Sequence, residues 1–148
     1  MGFVMRVKLT EILRDGTLKN YYEMGKPAGY QVDVRLAYYR GQYLSVIDQL
    51  DLAVDGVKAD DQDLRLCLNG KEFAPWELKE AYQEFWGIKT PAALKVRMPG
   101  GLTAGDHQVK LTLMFRCPYL PLPGAEHAYA PVDSCDEKTM TLYEAINI

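Results

Sequence analysis

Side chains able to do chemistry are scarce in this chain. It has two histidines, His107 and His127, two serines, Ser45 and Ser134, and three cysteines, Cys67, Cys117 and Cys135. Nucleophilic catalysis needs a base beside the nucleophile, and no G-x-S-x-G elbow occurs. Metal binding would call for H-E-x-x-H, H-x-H or C-x2-C spacing, and none is present. The acidic run Asp60-Asp61-Gln62-Asp63 lacks the glycine and terminal glutamate of a calcium loop. Gly100-Gly101 and Gly105 lead into strands rather than a helix N-terminus, so they cradle no phosphate. His107 follows a turn at the start of a strand and reads as a surface imidazole. His127 lies in a proline-rich segment beside Glu126 and Tyr129, a better place for function because loops carry sites. The residues favour a chain that runs no reaction alone, with no metal and no catalytic residue of its own.

The elements around these residues are mostly strands. In LKVRMPGGLTAGDHQVKLTLMFR, Leu94 to Arg116, the residues Leu94, Val96 and Met98 alternate with Lys95 and Arg97. Beyond the turn, Val109, Leu111, Leu113 and Phe115 share a face. A period of two over this length predicts half-buried antiparallel strands. The same alternation predicts strands at Met5 to Thr10, through Tyr21-Tyr22, at Tyr30 to Tyr39, at Tyr43 to Val54 and at Leu64 to Leu68. Asp55-Gly56 ends one strand and Asn69-Gly70 marks a hairpin. Pro75 to Phe85 is the one helical candidate, with Leu78, Ala81, Tyr82 and Phe85 at helix spacing. Trp76 and Trp86 read as core anchors. The expected fold is all-β: one antiparallel β-sandwich of seven to nine strands, spanning 1–148, with that one short helix.

From Cys117 to Cys135 the alternation stops. Four of the eight prolines, Pro118, Pro121, Pro123 and Pro131, fall here. They predict an extended loop, 117–135, outside any sheet interior. Tyr119, His127 and Tyr129 are its candidate interface or substrate-proximal residues, since tyrosines give large contact area at small entropic cost. A C-terminal arm, 140–148, follows, and Met140 to Ile146 is either a last strand or part of that arm. The bulk properties exclude more than they identify. A net charge of −3 argues against a nucleic-acid surface. No apolar run reaches the ~20 residues of a membrane span, and Arg6 and Lys8 break any N-terminal signal core. Unpatterned cysteines suit reduced thiols and a cytoplasmic protein.

One resemblance adds to this reading. LDLAVDGVKADDQDLRLCLNGKEF and ALKVRMPGGLTAGDHQVKLTLMFRCPYLP resemble the small β subunit of bacterial C-glycoside deglycosidases. The similar elements are Val54-Asp55-Gly56, the hairpin Leu68 to Lys71, and the turn and strand from Gly100 to Val109. The resemblance implies a β-sandwich that binds a larger α subunit, a sugar-phosphate isomerase-like (β/α)8 barrel holding a divalent metal, typically Mn2+. It implies that the complex cleaves the carbon–carbon bond between a 3-oxo sugar and an aromatic aglycone such as a flavonoid. None of that metal's ligands maps onto this chain. The alternative reading is a stand-alone carbohydrate-binding or structural β-sandwich module without an enzyme partner.

Overall fold

The computed structural model describes residues 12–36, 41–121 and 129–143. The strand expected at Met5 to Thr10, together with Tyr38, Tyr39 and His127, lies outside them. Twelve strands occur among the described residues, eight of them five residues or longer. One sheet has the order β1 (Lys19–Glu23), β2 (Lys26–Val34), β9 (Ala92–Arg97), β6 (Leu64–Leu68) and β7 (Lys71–Phe73). The other has β11 (Tyr129–Asp133), β10 (Gly105–Pro121), β4 (Ile47–Val54) and β5 (Val57–Lys58), with β12 (Asp136–Leu142) also on β10. Every pairing is antiparallel. A two-residue pair, β3 (Gln42–Tyr43) with β8 (Phe85–Trp86), stands apart.

Alternation explains the core. Leu50, Leu52 and Val54 oppose Leu113, Leu111 and Val109 in register, and all six are buried. Val32 and Leu94, with Leu66, do the same on the facing sheet. Burying one such side chain stabilises by about 1.5–3 kcal/mol, so the two inner faces close on one continuous cluster. Asn69 and Gly70 both take positive φ, 55° and 77°, the geometry of the tight turn that joins β6 to β7.

The glycine-rich segment after Arg97 does something the alternation did not indicate. It joins strands of different sheets, since β9 pairs with β2 and β6 while β10 pairs with β4. Asn20 holds this crossing: its amide donates to the Leu102 carbonyl and accepts from the Leu102 N–H, both at 2.8 Å. A Cβ on Gly101 would stand 2.6 Å from the Asn20 Oδ1, so the clamp requires glycine there. Met98, expected to face inward, is exposed at the crossing.

The helical expectation is only partly met. Pro75–Glu80 is a 3-10 helix of six residues, and Phe85–Trp86 is strand. Pro75 opens it, and the Ala74 N–H donates to the Glu77 carboxylate at 2.8 Å. Extending it would draw Trp86 out of its place, where the ring is 1% exposed and its N–H donates to the Thr90 carbonyl at 2.7 Å. Trp76 is not a core anchor; it is 49% exposed with the Arg65 guanidinium 5.2 Å above its ring.

The proline-rich segment is also corrected. Much of 117–135 is strand, because β10 runs on to Pro121 and β11 returns beside it. The prolines fit because β11 is an edge strand and the register slips between Arg116 and Pro121. β11 and β12 follow one register along β10: Met114 faces Asp133, Leu111 faces Asp136, and the intervening Ser134 N–H donates to the Leu113 carbonyl at 2.9 Å. The expected C-terminal arm is therefore strand through Leu142. No helix among the described residues is long and apolar enough to cross a membrane.

Candidate functional site

Strand β10 is the spine on which the candidate residues hang, and it separates them. His107 stands near its start. Tyr119 stands near its end, two residues before Pro121, which pairs with Tyr129. Twelve strand residues at about 3.3 Å each put His107 and Tyr119 roughly 40 Å apart. Tyr119 and Tyr129 thus belong to one hairpin, and His107 to the opposite end of the sandwich. His127 lies outside the described residues.

His107 is not a surface imidazole. It is 6% exposed and continues the inward series of Val109, Leu111, Leu113 and Phe115. Its Nδ1–H donates to the Asp55 Oδ2 at 2.6 Å and its Nε2–H to the Thr103 carbonyl at 2.7 Å. Carboxylate and carbonyl oxygens only accept, so making both bonds requires the doubly protonated ring. Burial pulls the His107 pKa down, but the Thr103 carbonyl and the Asp55 carboxylate outweigh it and raise the value. The His107 hydrogen bond holds the Asp55 carboxyl below its usual range, helped by the Gln108 N–H at 2.8 Å. This is a clamp: it ties the β4–β5 turn to the crossing and to the first turn-out of β10. Asp55 lies 52 residues away, but His107 shares the parity of the apolar series, which was the available signal.

Beside the clamp, a cavity of about 380 Å³ opens between the sheets, lined by Tyr30, Val54, Ala59, Val96 and Leu102 with Asp55 and Arg97. Burial, with the Asp55 charge adding to it, pushes the Tyr30 phenol up to about 12, so it stays neutral. At the other end, Tyr43 and Phe85 pack edge to face at 5.1 Å, both about half exposed. The Arg116 guanidinium anchors that end of β10 to Asp48 at 2.9 Å and to the Ser45 carbonyl at 2.9 Å. Among the described residues, no group of three or more His, Cys, Asp or Glu side chains could hold a metal. Among the described residues the arrangement offers surfaces and hydrogen-bonding groups, and no assembled nucleophile, base and electrophile.

The comparisons with known proteins bear on this directly. Residues 9–119 match the family model described as C-glycoside deglycosidase beta subunit. The chain is 39% identical over 97 residues to a C-glycoside deglycosidase beta subunit of Eubacterium cellulosolvens, covering 66% of each chain. It is 37% identical over 117 residues to a 3'-dehydrocarminate deglycosidase beta subunit of a Microbacterium species, covering 77% of this chain and 87% of the relative. A C-glycoside deglycosidase beta subunit of Arthrobacter globiformis is 31% identical over 109 residues, 74% of this chain and 81% of its own. The match takes in the clamp at Asp55 and His107 and ends at residue 119, two residues before the end of β10. With a β-sandwich of this register and a matching model across most of its length, the chain belongs to the C-glycoside deglycosidase beta subunit family.

Proposed function

We propose that this chain is the accessory subunit of a metal-dependent carbon–carbon lyase, bound to an α subunit of (β/α)8-barrel type that carries the metal. The observation that carries the reading is the family match to beta subunits of deglycosidases. The scarcity of catalytic groups in the chain agrees with it. The substrate is a 3-oxo-C-glycoside. A C-glycosidic bond has no leaving oxygen to protonate, so hydrolysis by two carboxylates is unavailable. The 3-oxo group acidifies the neighbouring C2 proton. Removing that proton leaves an electron pair that forms the C1–C2 double bond as the bond to the aglycone breaks. The aglycone carbon then takes up a proton. A divalent cation, Mn2+ in this reading, would supply Lewis-acid stabilisation of negative charge at the oxo group. The described residues offer it no ligand set, so no step passes through it here.

The part played by this chain is docking. The β10–β11 hairpin reaches past Phe115, the last residue of β10 that pairs with β4. In this reading the hairpin contacts the α subunit near the mouth of its active site, with Tyr119, His127 and Tyr129 as the first residues to test. Co-expression with a barrel subunit, followed by copurification and an assay on a 3-oxo-C-glycoside, tests it. Activity is expected only in the complex; cleavage by this chain alone would overturn the accessory role. Alanine at His127 or Tyr129 should lower turnover or complex stability while the isolated subunit unfolds at nearly the same temperature. If both variants assemble and turn over like the parent, the hairpin is not the contact.

A further inference from the structure

Sheet edges are where a β protein can accept another strand, and this chain treats its edges unequally. The edge made by β11 and β12 carries charge on inward positions: Lys138 is opposite Val109 and Asp136 opposite Leu111. The segment before β1 covers that edge, with the Leu13 N–H donating to Asp136 at 3.2 Å and Lys138 paired to Asp15 at 3.0 Å. The edge of β1 is interrupted by a register shift at Tyr21, and β7 is only three residues long.

Among the described residues, the edge of β4 has no such protection, and β5 pairs with it only at Ala53 and Val54. The Ala59 N–H donates to the Leu52 carbonyl at 2.8 Å, which shows that the backbone of Leu52 turns away from β10. Strand alternation turns the Leu50 N–H and carbonyl the same way. Among the described residues no strand follows past them. A groove of about 380 Å³ occupies that place instead, with Ile47 to Asp51 on one wall and Pro75, Trp76 and Leu78 on the other.

The groove has a charge preference. Asp48, Asp51 and Asp61 line it; Arg116 meets Asp48 at 2.9 Å and Lys58 meets Asp51, which leaves the Asp61 carboxylate to set the sign. The chain shows how such a wall is met, for Lys58 on β5 reaches Asp51 at 3.3 Å. A strand continuing the line of β5 would bring its own side chains past the same wall. Trp76, half exposed and held by Arg65, stands over it. Strand addition takes affinity from the backbone and specificity from alternate side chains.

We propose that the free edge of β4 at Leu50, with Trp76 above it, receives an extended segment of the partner subunit carrying lysine or arginine, added as a further strand in line with β5. This rests on the accessory-subunit reading, and it names a contact separate from the β10–β11 hairpin.

Amide-resolved hydrogen exchange on the isolated full chain and on the copurified complex tests it. The Leu50 amide, which has no partner strand among the described residues, should exchange at least about 10-fold more slowly in the complex. Trp76→Ala should weaken the complex by about 10-fold or more, as loss of a buried aromatic anchor does. Asp61→Lys should weaken it through charge, with an effect that shrinks in high salt. A stable complex in which Leu50 exchanges as in the free chain would overturn the inference and leave the accessory role standing. So would an isolated chain that is already a dimer with Leu50 protected, since a second copy would then own the edge. Failure to form any complex would remove the accessory reading and this contact with it.

Discussion

His107 needs protons on both ring nitrogens to make its two hydrogen bonds, and stability should follow. Its folded pKa is raised, so its contribution is full below the unfolded value of about 6.5 and is lost as pH rises through the folded value. The Asp55 pKa is lowered, so its contribution is present above about 3.9 and is lost as pH falls through the folded value. Between those limits both act. His107→Leu should lower unfolding stability at pH 6 by about 1–3 kcal/mol, and by less at pH 9. Chemical denaturation at the two pH values checks it, and an equal loss at both would show that the ring is held neutral. Cys67 is governed by burial instead. Its thiol is pushed up to about 11, first by burial and then by Glu72, whose carboxylate lies 3.5 Å away. Reaction with iodoacetamide at pH 8 should therefore be far slower at Cys67 than for a free thiol, read by peptide mass spectrometry.

At the scale of elements, alternation told which residues face inward but not which strand lies beside which. Leu64, Leu66 and Leu68 face the core as their period requires, and the Asn69-Gly70 turn has the backbone its residues favour. The crossing at Met98 to Ala104 reads locally like a hairpin, because the same glycines serve a turn within a sheet or a step between sheets. Long-range pairing decided it, through Asn20 at a separation of 82 residues. The helix spacing at Leu78, Ala81, Tyr82 and Phe85 lost to the burial of Trp86. The proline-rich hairpin was hidden because its strands sit at an edge, where alternation is not enforced on both faces. The candidate interface residues Tyr119 and Tyr129 were legible as aromatics, but their placement on paired strands was not. The two tryptophans give the sharpest check. Trp86→Ala should cost about 3–5 kcal/mol, and Trp76→Ala less than about 1 kcal/mol in the isolated chain. Comparable losses in thermal unfolding would contradict the burial assigned to each.

Across the whole molecule, both sheets contribute to one buried cluster, from Ile12 beside β2 to Leu142 on β12. A core shared in this way should melt as one unit. Far-ultraviolet and near-ultraviolet circular dichroism should give coincident transitions, and two separated steps would show that the sheets hold together independently. The contrast between Trp86, 1% exposed, and Trp76, 49% exposed, has an optical consequence. Indole emission moves to the blue and escapes soluble quenchers when water is excluded. The chain therefore carries two reporters of different events. Acrylamide should quench the Trp76 component and leave that of Trp86, whose emission shifts only when the core opens. A blue shift of the quenchable component on mixing with another protein would register coverage of the β4 groove with no label attached.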